Sequence, residues 1–175
     1  GVEVVRHDGG YSTFRADVTA LLADSNELIV EADNSKNDRV YPQKADFTFY
    51  GGIYRDVWLT AVPAQHFNLT NHGSDGIFIS TPQVSAEKAR ILIRGEIKND
   101  AKEQATLELI HNIYRPDGEI AQTQKELIKV KGGEIRTFNT ETSPILTPRL
   151  WTPETPNLYR VETIPVSYTH LTLPT

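Results

Sequence analysis

The chain has 175 residues, of which 38% are hydrophobic and 23% charged, a mixture too apolar for a disordered tail and too evenly interspersed for a membrane-embedded protein. Its formal net charge is −5, and acidic or apolar residues interrupt the longest Lys-rich grouping, Lys125 to Lys131; nucleic acid and anionic membrane are therefore not expected as partners, because surfaces that track phosphates need clustered positive charge. With no cysteine, disulfides, thiolate catalysis and sulfur-ligated zinc are ruled out, and the chain suits both the cytoplasm, its expected location, and the periplasm.

The first residues, Gly1-Val2-Glu3-Val4-Val5, have neither the basic start nor the apolar core of a signal peptide, and no apolar run approaches the roughly 20 residues that span a bilayer. The chain holds no methionine and reads as an internal piece of a longer protein. Hydrophobic spacing has period 2 nearly throughout, which predicts an all-β fold. Asp17-Val18-Thr19-Ala20-Leu21-Leu22 has helical flavour, with Asp17 as N-cap, but is long enough for one turn only. Residues 26–32 read as a short strand and 33–39 as a polar loop rich in Asn and Asp. Between 47 and 62, aromatic and β-branched residues predict strands that meet at a bend or bulge at Gly51-Gly52.

A polar stretch at 65–75 holds Asn68, Asn71, His72, Gly73 and Ser74 close together, and marks a boundary between a first domain at 1–72 and a second at 73–163. In 89–98, Ile91, Ile93, Gly95 and Ile97 share one face, and in 105–114 Leu107, Leu109, His111 and Ile113 do the same, as half-buried antiparallel strands require. Arg115-Pro116-Asp117-Gly118 reads as a β-turn. Strands at 119–130, 134–140 and 157–163 complete six or seven in all, the size and spacing of an immunoglobulin-like sandwich without the Cys and Trp signature of an antibody domain.

Single residues carry less. Arg55 and Asp56 are neighbours on a predicted strand and point to opposite faces, so structural ion pairs or backbone bonds are expected of both. Trp58 and Trp151 are expected to pack in or beside cores. Of Phe47, Phe49, Tyr50 and Tyr54, alternate members must face the sheet, leaving at most half free to stack on a ligand. His111, on the apolar face of its strand and without a Ser or Cys partner in a triad-like context, is expected to be a satisfied core histidine. Gly51-Gly52 lacks the strand, Lys and helix of a phosphate loop. Asn68-Leu69-Thr70 is a formal glycosylation sequon.

The run Asp38-Arg39-Val40-Tyr41-Pro42-Gln43-Lys44-Ala45-Asp46-Phe47-Thr48-Phe49-Tyr50-Gly51-Gly52-Ile53-Tyr54-Arg55-Asp56-Val57-Trp58-Leu59 resembles the end of the N-terminal sugar-binding jelly roll of family 2 glycoside hydrolases. Gly9-Gly10-Tyr11-Ser12-Thr13-Phe14, followed by Asp17-Val18-Thr19, resembles an earlier part of the same domain, and Leu150-Trp151-Thr152-Pro153-Glu154-Thr155-Pro156-Asn157-Leu158-Tyr159 the close of the immunoglobulin-like domain that follows it. The implied fold is the C-terminal part of a jelly-roll β-sandwich followed by an immunoglobulin-like β-sandwich. Residues 164–175 do not match the family's continuation and are expected to be adapter-like or frame-shifted sequence without structure. The first domain, entered in mid-hairpin, is expected to expose strand edges and to fold poorly alone.

The resemblance implies a retaining β-galactosidase as the parent enzyme, hydrolysing O-glycosyl bonds in carbohydrate metabolism, with a β-glucuronidase or β-mannosidase as the alternative. A stand-alone carbohydrate-binding or adhesion module is a further reading that the fold alone permits. Glycoside cleavage generally uses two carboxylates flanking one bond; in the family both are glutamates on a (β/α)₈ barrel, and no glutamate of this chain matches them. No catalytic residue is therefore assigned, and these residues alone are expected to be inactive. Asp46 resembles the family aspartate that reaches the active site, where in β-galactosidases it meets the C6 hydroxyl of the galactosyl group and helps hold a sodium ion. A carboxylate suits both tasks, as hydroxyl acceptor and as hard oxygen ligand. The expected partners are a galactoside or other glycoside and the barrel; these residues alone are expected to bind no cofactor, while the resemblance implies sodium, with or without magnesium, and homo-oligomers for the parent enzyme; a loop aspartate capping nearby amides is the plainer reading of Asp46.

Overall fold

The computed structural model describes residues 1–40, 45, 46 and 48–167. The chain divides into two compact units, the first made of Gly1–Ala61 with Leu69–Ser74, the second of Val62–Asn68 with the chain from Asp75 onward.

The second unit is a two-sheet sandwich. Its organising strand is β3 (Lys88–Asn99), flanked along one edge by β1 (Gln65–Phe67) and β2 (Ile77–Val84) and along the other by β6 (Ile135–Glu141) and β7 (Ile145–Leu146), all antiparallel. The facing sheet has β4 (Ala105–Tyr114) between β5 (Ile120–Val130) and β8 (Arg160–Ser167). The alternation read from the sequence is realised residue by residue. Ile93 and Ile97 of β3 and Leu107, Leu109 and Ile113 of β4 are at most 1% exposed, and each such side chain contributes about 1.5–3 kcal/mol by leaving water. Ile128, Val130, Phe138 and Ile145 close the core from the neighbouring strands.

Gly95 sits on the buried face of β3 because its cross-strand partner Phe138 lays its ring over the space that a side chain would fill. Asn99, at the end of β3 and wholly buried, replaces backbone pairing where the strand stops. Its Oδ1 accepts from Gln65 Nε2 (2.8 Å) and the Ala101 N–H (3.1 Å), and its Nδ2 donates to the carbonyls of Glu103 (2.8 Å) and Val130 (3.1 Å). The turn at 115–118 forms as expected: the Gly118 N–H donates to the Arg115 carbonyl at 2.9 Å, and Gly118 takes φ +89°, which costs a glycine little. Asp117 ties this turn to Arg149 through a 2.8 Å ion pair. At the entry to β8 the Tyr159 hydroxyl accepts from the Arg149 N–H at 3.0 Å, the tyrosine corner of immunoglobulin-like sandwiches. Gln122 of β5, with its amide oriented to suit, donates to the Ser143 carbonyl (3.0 Å) and accepts from the Ser143 N–H (3.1 Å), joining the two sheets along one side.

Two expectations for this unit are corrected. Strand β8 does not stop at 163: Ile164 to Ser167 continue the ladder, registering with Ile110 to Leu107 of β4. That half of β4 still has open backbone groups, and pairing satisfies them whether or not the residues match a family pattern. Trp151 is 57% exposed rather than packed in a core; it forms an isolated bridge with Pro156 at the mouth of a loop closed by Thr152 and Thr155.

In the first unit the one regular element among the described residues is a 3₁₀ turn at Thr19–Leu21. Asp17 is not its N-cap, a position held by Val18; it stands one residue earlier, where its Oδ1 accepts the Thr19 N–H at 3.0 Å. The strands expected at 26–32 and 47–62 are not formed among the described residues, and none of the unit's described residues is buried. Leu28, Ile29, Tyr50, Trp58 and Leu59 are 71–86% exposed, so Trp58 is not a core residue of this unit. An alternating pattern sets which side chains could share a face; burial needs a second layer to close over that face, and the unit does not supply one.

Candidate functional site

Asp46 lies on an exposed bend in the first unit; its neighbours 41–44 and 47, including Phe47 of the aromatic set, lie outside the described residues. Tyr50 and Tyr54 are 79% and 58% exposed, and Phe49 is half-buried. Both tyrosines thus keep open ring faces.

The same unit forms an open cavity of about 450 Å³ lined by Asp8, Gly9, Tyr11, Ser12, Arg39 and Val40. Its polar wall is assembled from two distant segments. Asp8 Oδ1 accepts from Arg39 Nη2 at 3.0 Å and from Asn37 Nδ2 at 3.4 Å, while Asn37 Oδ1 accepts the Arg39 N–H at 2.9 Å and so fixes the backbone that carries the guanidinium. His7 stacks on Phe14 with ring centroids 4.6 Å apart and meets Ser12 Oγ through Nε2 at 3.1 Å. Both members of the Asp8–Arg39 pair face water, so the pair adds at most about 1 kcal/mol to stability. Chemically, the wall offers carboxylate, guanidinium and hydroxyl groups that can bond a hydroxylated ligand. The sequence gives no spacing rule that joins Asp8 to Arg39, and the pair was not foreseen.

Arg55 lies with its guanidinium 5.8 Å from the centroid of the Tyr11 ring, a cation–π contact, and neither Arg55 nor Asp56 has an ion-pair partner among the described residues. Arg55 thus has an aromatic partner in place of an ion pair, since Tyr11 offers a weakly hydrated arginine an aromatic face. Asn68 of the sequon is 7% exposed and donates from Nδ2 to Glu96 Oε2 at 2.7 Å, so its amide nitrogen is engaged inside the second unit.

His111 is the satisfied core histidine that its position on β4 predicts. It is fully buried, with Nδ1 3.0 Å from Thr163 Oγ1 and Nε2 3.4 Å from Thr140 Oγ1. Burial holds its pKa below the ordinary imidazole value, against the opposing pull of the Glu126 carboxylate 3.6 Å away. On the outer face of the same sheet, Glu162 accepts from the Tyr114 hydroxyl at 2.7 Å and from Asn112, which lowers its carboxyl pKa; Arg160 stacks 3.8 Å from the Tyr114 ring centroid. No group of three metal-capable side chains converges among the described residues.

Residues 75–165 match the profile of the glycosyl hydrolases family 2. A β-glucuronidase of Bacteroides fragilis is 31% identical over 162 residues, 89% of this chain and 22% of that protein. A β-galactosidase of Bacteroides ovatus is 27% identical over 168 residues, 93% of this chain and 18% of that protein. Among solved structures, β-glucuronidase 2 of Bacteroides uniformis, covalently bound to cyclophellitol-6-carboxylate aziridine, matches with a TM-score of 0.86 at 55% identity, over 95% of this chain and 20% of that one. The chain spans about a fifth of the length of these relatives. With the profile covering more than half of its residues and the backbone likeness extending over 95% of them, the chain belongs to the glycosyl hydrolases family 2.

Proposed function

We propose that this chain is the non-catalytic β-sandwich part of a β-glucuronidase, an enzyme that hydrolyses the O-glycosyl bond of glucuronides. The observation that carries the reading is the 55% identity to a β-glucuronidase, sustained over 95% of the chain, against 27% to the β-galactosidase. The β-galactosidase implied by the run from Asp38 to Leu59 is the less supported of the two. The acid and the nucleophile of the reaction are supplied by another part of the protein, and the units described here frame it.

The change of substrate changes what Asp46 can touch. A glucuronide carries a carboxylate at C6 where a galactoside carries a hydroxyl, and two carboxylates 4 Å apart repel by about 4 kcal/mol near a protein surface. Asp46 is therefore assigned to a ring hydroxyl of the sugar, which a carboxylate accepts well, and not to C6. An ion beside Asp46 would take its remaining oxygens from elsewhere in the protein, since hard cations need several.

The intact enzyme that contains this sequence, assayed on 4-nitrophenyl β-D-glucuronide and 4-nitrophenyl β-D-galactoside, should favour the glucuronide in kcat/KM by on the order of 100-fold or more. Equal turnover, or a preference for the galactoside, would return the assignment to the β-galactosidases.

A further inference from the structure

The immunoglobulin-like unit holds an ionisable ring at a place where side chains join its two sheets through the interior. His111 projects from β4 into the sandwich with no exposed surface. Thr163, directly opposite it on β8, meets Nδ1; Thr140, which meets Nε2, belongs to β6 in the other sheet. The Thr140 hydroxyl also makes a short hydrogen bond to Glu126 Oε1 of β5, so a chain of polar groups runs Thr163, His111, Thr140, Glu126 and crosses from sheet to sheet.

The donors can be counted. A hydroxyl has one proton, and Thr140 gives its own to the Glu126 carboxylate, which only accepts. Thr140 Oγ1 must then accept from His111 Nε2–H. One proton suffices for a neutral ring, so Nδ1 is a bare acceptor and takes the Thr163 hydroxyl proton. In this tautomer every group has a partner, and no buried side-chain polar atom is left unbonded among the described residues.

We propose that His111 is a proton-operated latch between the two sheets, closed while the ring is neutral and released when it takes a second proton. The added proton goes to Nδ1 and points at a hydroxyl that was donating. Thr163 must turn its own proton away, and a full charge appears on a ring with no exposed surface. Among the described residues, Glu126, 3.6 Å from Nε2, is the one ionisable side chain that answers it. Lys125 and Glu108 pair with each other (3.2 Å) on the outer face, Glu162 and Arg160 are engaged there around Tyr114, and Glu141 of β6 is held by Arg90 at 2.9 Å. Arg136 shares the inward side of β6 but is exposed and four residues from Thr140, about 13 Å along the strand. Phe138, 5.8 Å from the imidazole centroid, covers the ring on its apolar side.

The direction of the pH dependence follows from the burial that lowers the imidazole pKa. Below the unfolded-state value of about 6.5 the unfolded chain binds a proton that the folded unit resists. Stability is fully present above that pH and falls as pH drops through it, by up to about tenfold in the folding constant per pH unit.

The test is an NMR titration of the imidazoles in the 175-residue chain, with urea unfolding between pH 8 and pH 5 for the unchanged chain, Glu126→Gln and His111→Gln. The latch requires that His111 titrate below about 6.5 and lower still in Glu126→Gln, and that Glu126→Gln lose stability in acid over a wider range. His111→Gln should flatten the dependence; should that variant not fold, the titration of Glu126→Gln decides alone. An imidazole of His111 that titrates at or above 6.5, or a titration unmoved by Glu126→Gln, would overturn the proposal.

Discussion

Replacing Gly95 by alanine should destabilise the second unit by about 3 kcal/mol, the upper part of the range for overpacked cores. The added Cβ would lie 2.5 Å from Cζ and 2.7 Å from Cε1 of Phe138, and 2.6 Å from the carbonyl oxygen of Gly76. Carbon atoms in contact prefer about 3.5–4.0 Å, so roughly an ångström must be found on two sides at once. Neither neighbour yields easily. The Phe138 ring is 7% exposed and lies between Phe67, at 6.4 Å, and His111, at 5.8 Å between centroids. The Gly76 carbonyl accepts the Glu96 N–H at 3.2 Å, and a retreat would break that bond. Far-UV circular dichroism during urea unfolding is the suitable assay, because Trp58 and Trp151 are 80% and 57% exposed and their fluorescence reports little of this core. With a urea slope of about 1.5 kcal/mol per molar, the midpoint should fall by about 2 M. The cycle of Gly95→Ala with Phe138→Leu separates the two clashes: the pair should cost less than the sum of the singles, by the part of the strain that the ring carries. A Gly95→Ala midpoint within about 0.3 M of the unchanged chain would refute the reasoning.

Three further outcomes are expected. Asn99→Ala strips four hydrogen bonds from a wholly buried corner and should cost about 3 kcal/mol in the same unfolding assay; a loss under about 0.5 kcal/mol would mean that water replaces the amide. Tyr114→Phe removes the main cause of the low Glu162 pKa, so the Glu162 carboxyl should titrate higher by NMR; because that pKa is depressed in the folded chain, the stabilisation is present above the ordinary carboxylate range and is lost as pH falls through the folded value, and an unmoved titration would show the hydroxyl to be idle. In the intact enzyme, Asp46→Asn should lower kcat/KM for the glucuronide by on the order of tenfold or more with thermal stability unchanged, whereas an increase would put Asp46 beside the C6 carboxylate after all.

The sandwich was legible where the chain buries one face of a long strand. In β3 and β4 every second residue over 12 and 10 residues is buried, and apart from Gly95, Asn99 and His111 those residues are apolar. The short strands were not legible, because pairing and not pattern creates them. Gln65–Phe67 is polar to read, yet it is held by register with Asn99, Lys98 and Ile97. In β2 the register shifts between Ser80 and Gln83, across Pro82, which erases the period-2 signal while leaving a strand on an open edge where a missing N–H is tolerated. The last four residues of β8 match no family pattern, and the open groups of β4 pair with them regardless.

The site was legible only in part, for a reason that lies in the chemistry of recognition. The run from Asp38 to Leu59 carries the resemblance to the family over some twenty positions, but its one candidate for a sugar contact is a carboxylate, and a carboxylate accepts a hydroxyl proton from any sugar. It cannot by itself tell a galactoside from a glucuronide. What separates those substrates is the charge at C6, and a group that welcomes a carboxylate must be cationic, as arginine is when it binds one in bidentate fashion. The motif offers Arg39 and Arg55, and the structure commits the first to Asp8 and the second to the face of Tyr11. Each is engaged by a partner within its own unit, and Lys44, the third cation of the motif, lies outside the described residues, so the glucuronide reading rests on identity spread along the chain and not on any single residue in it.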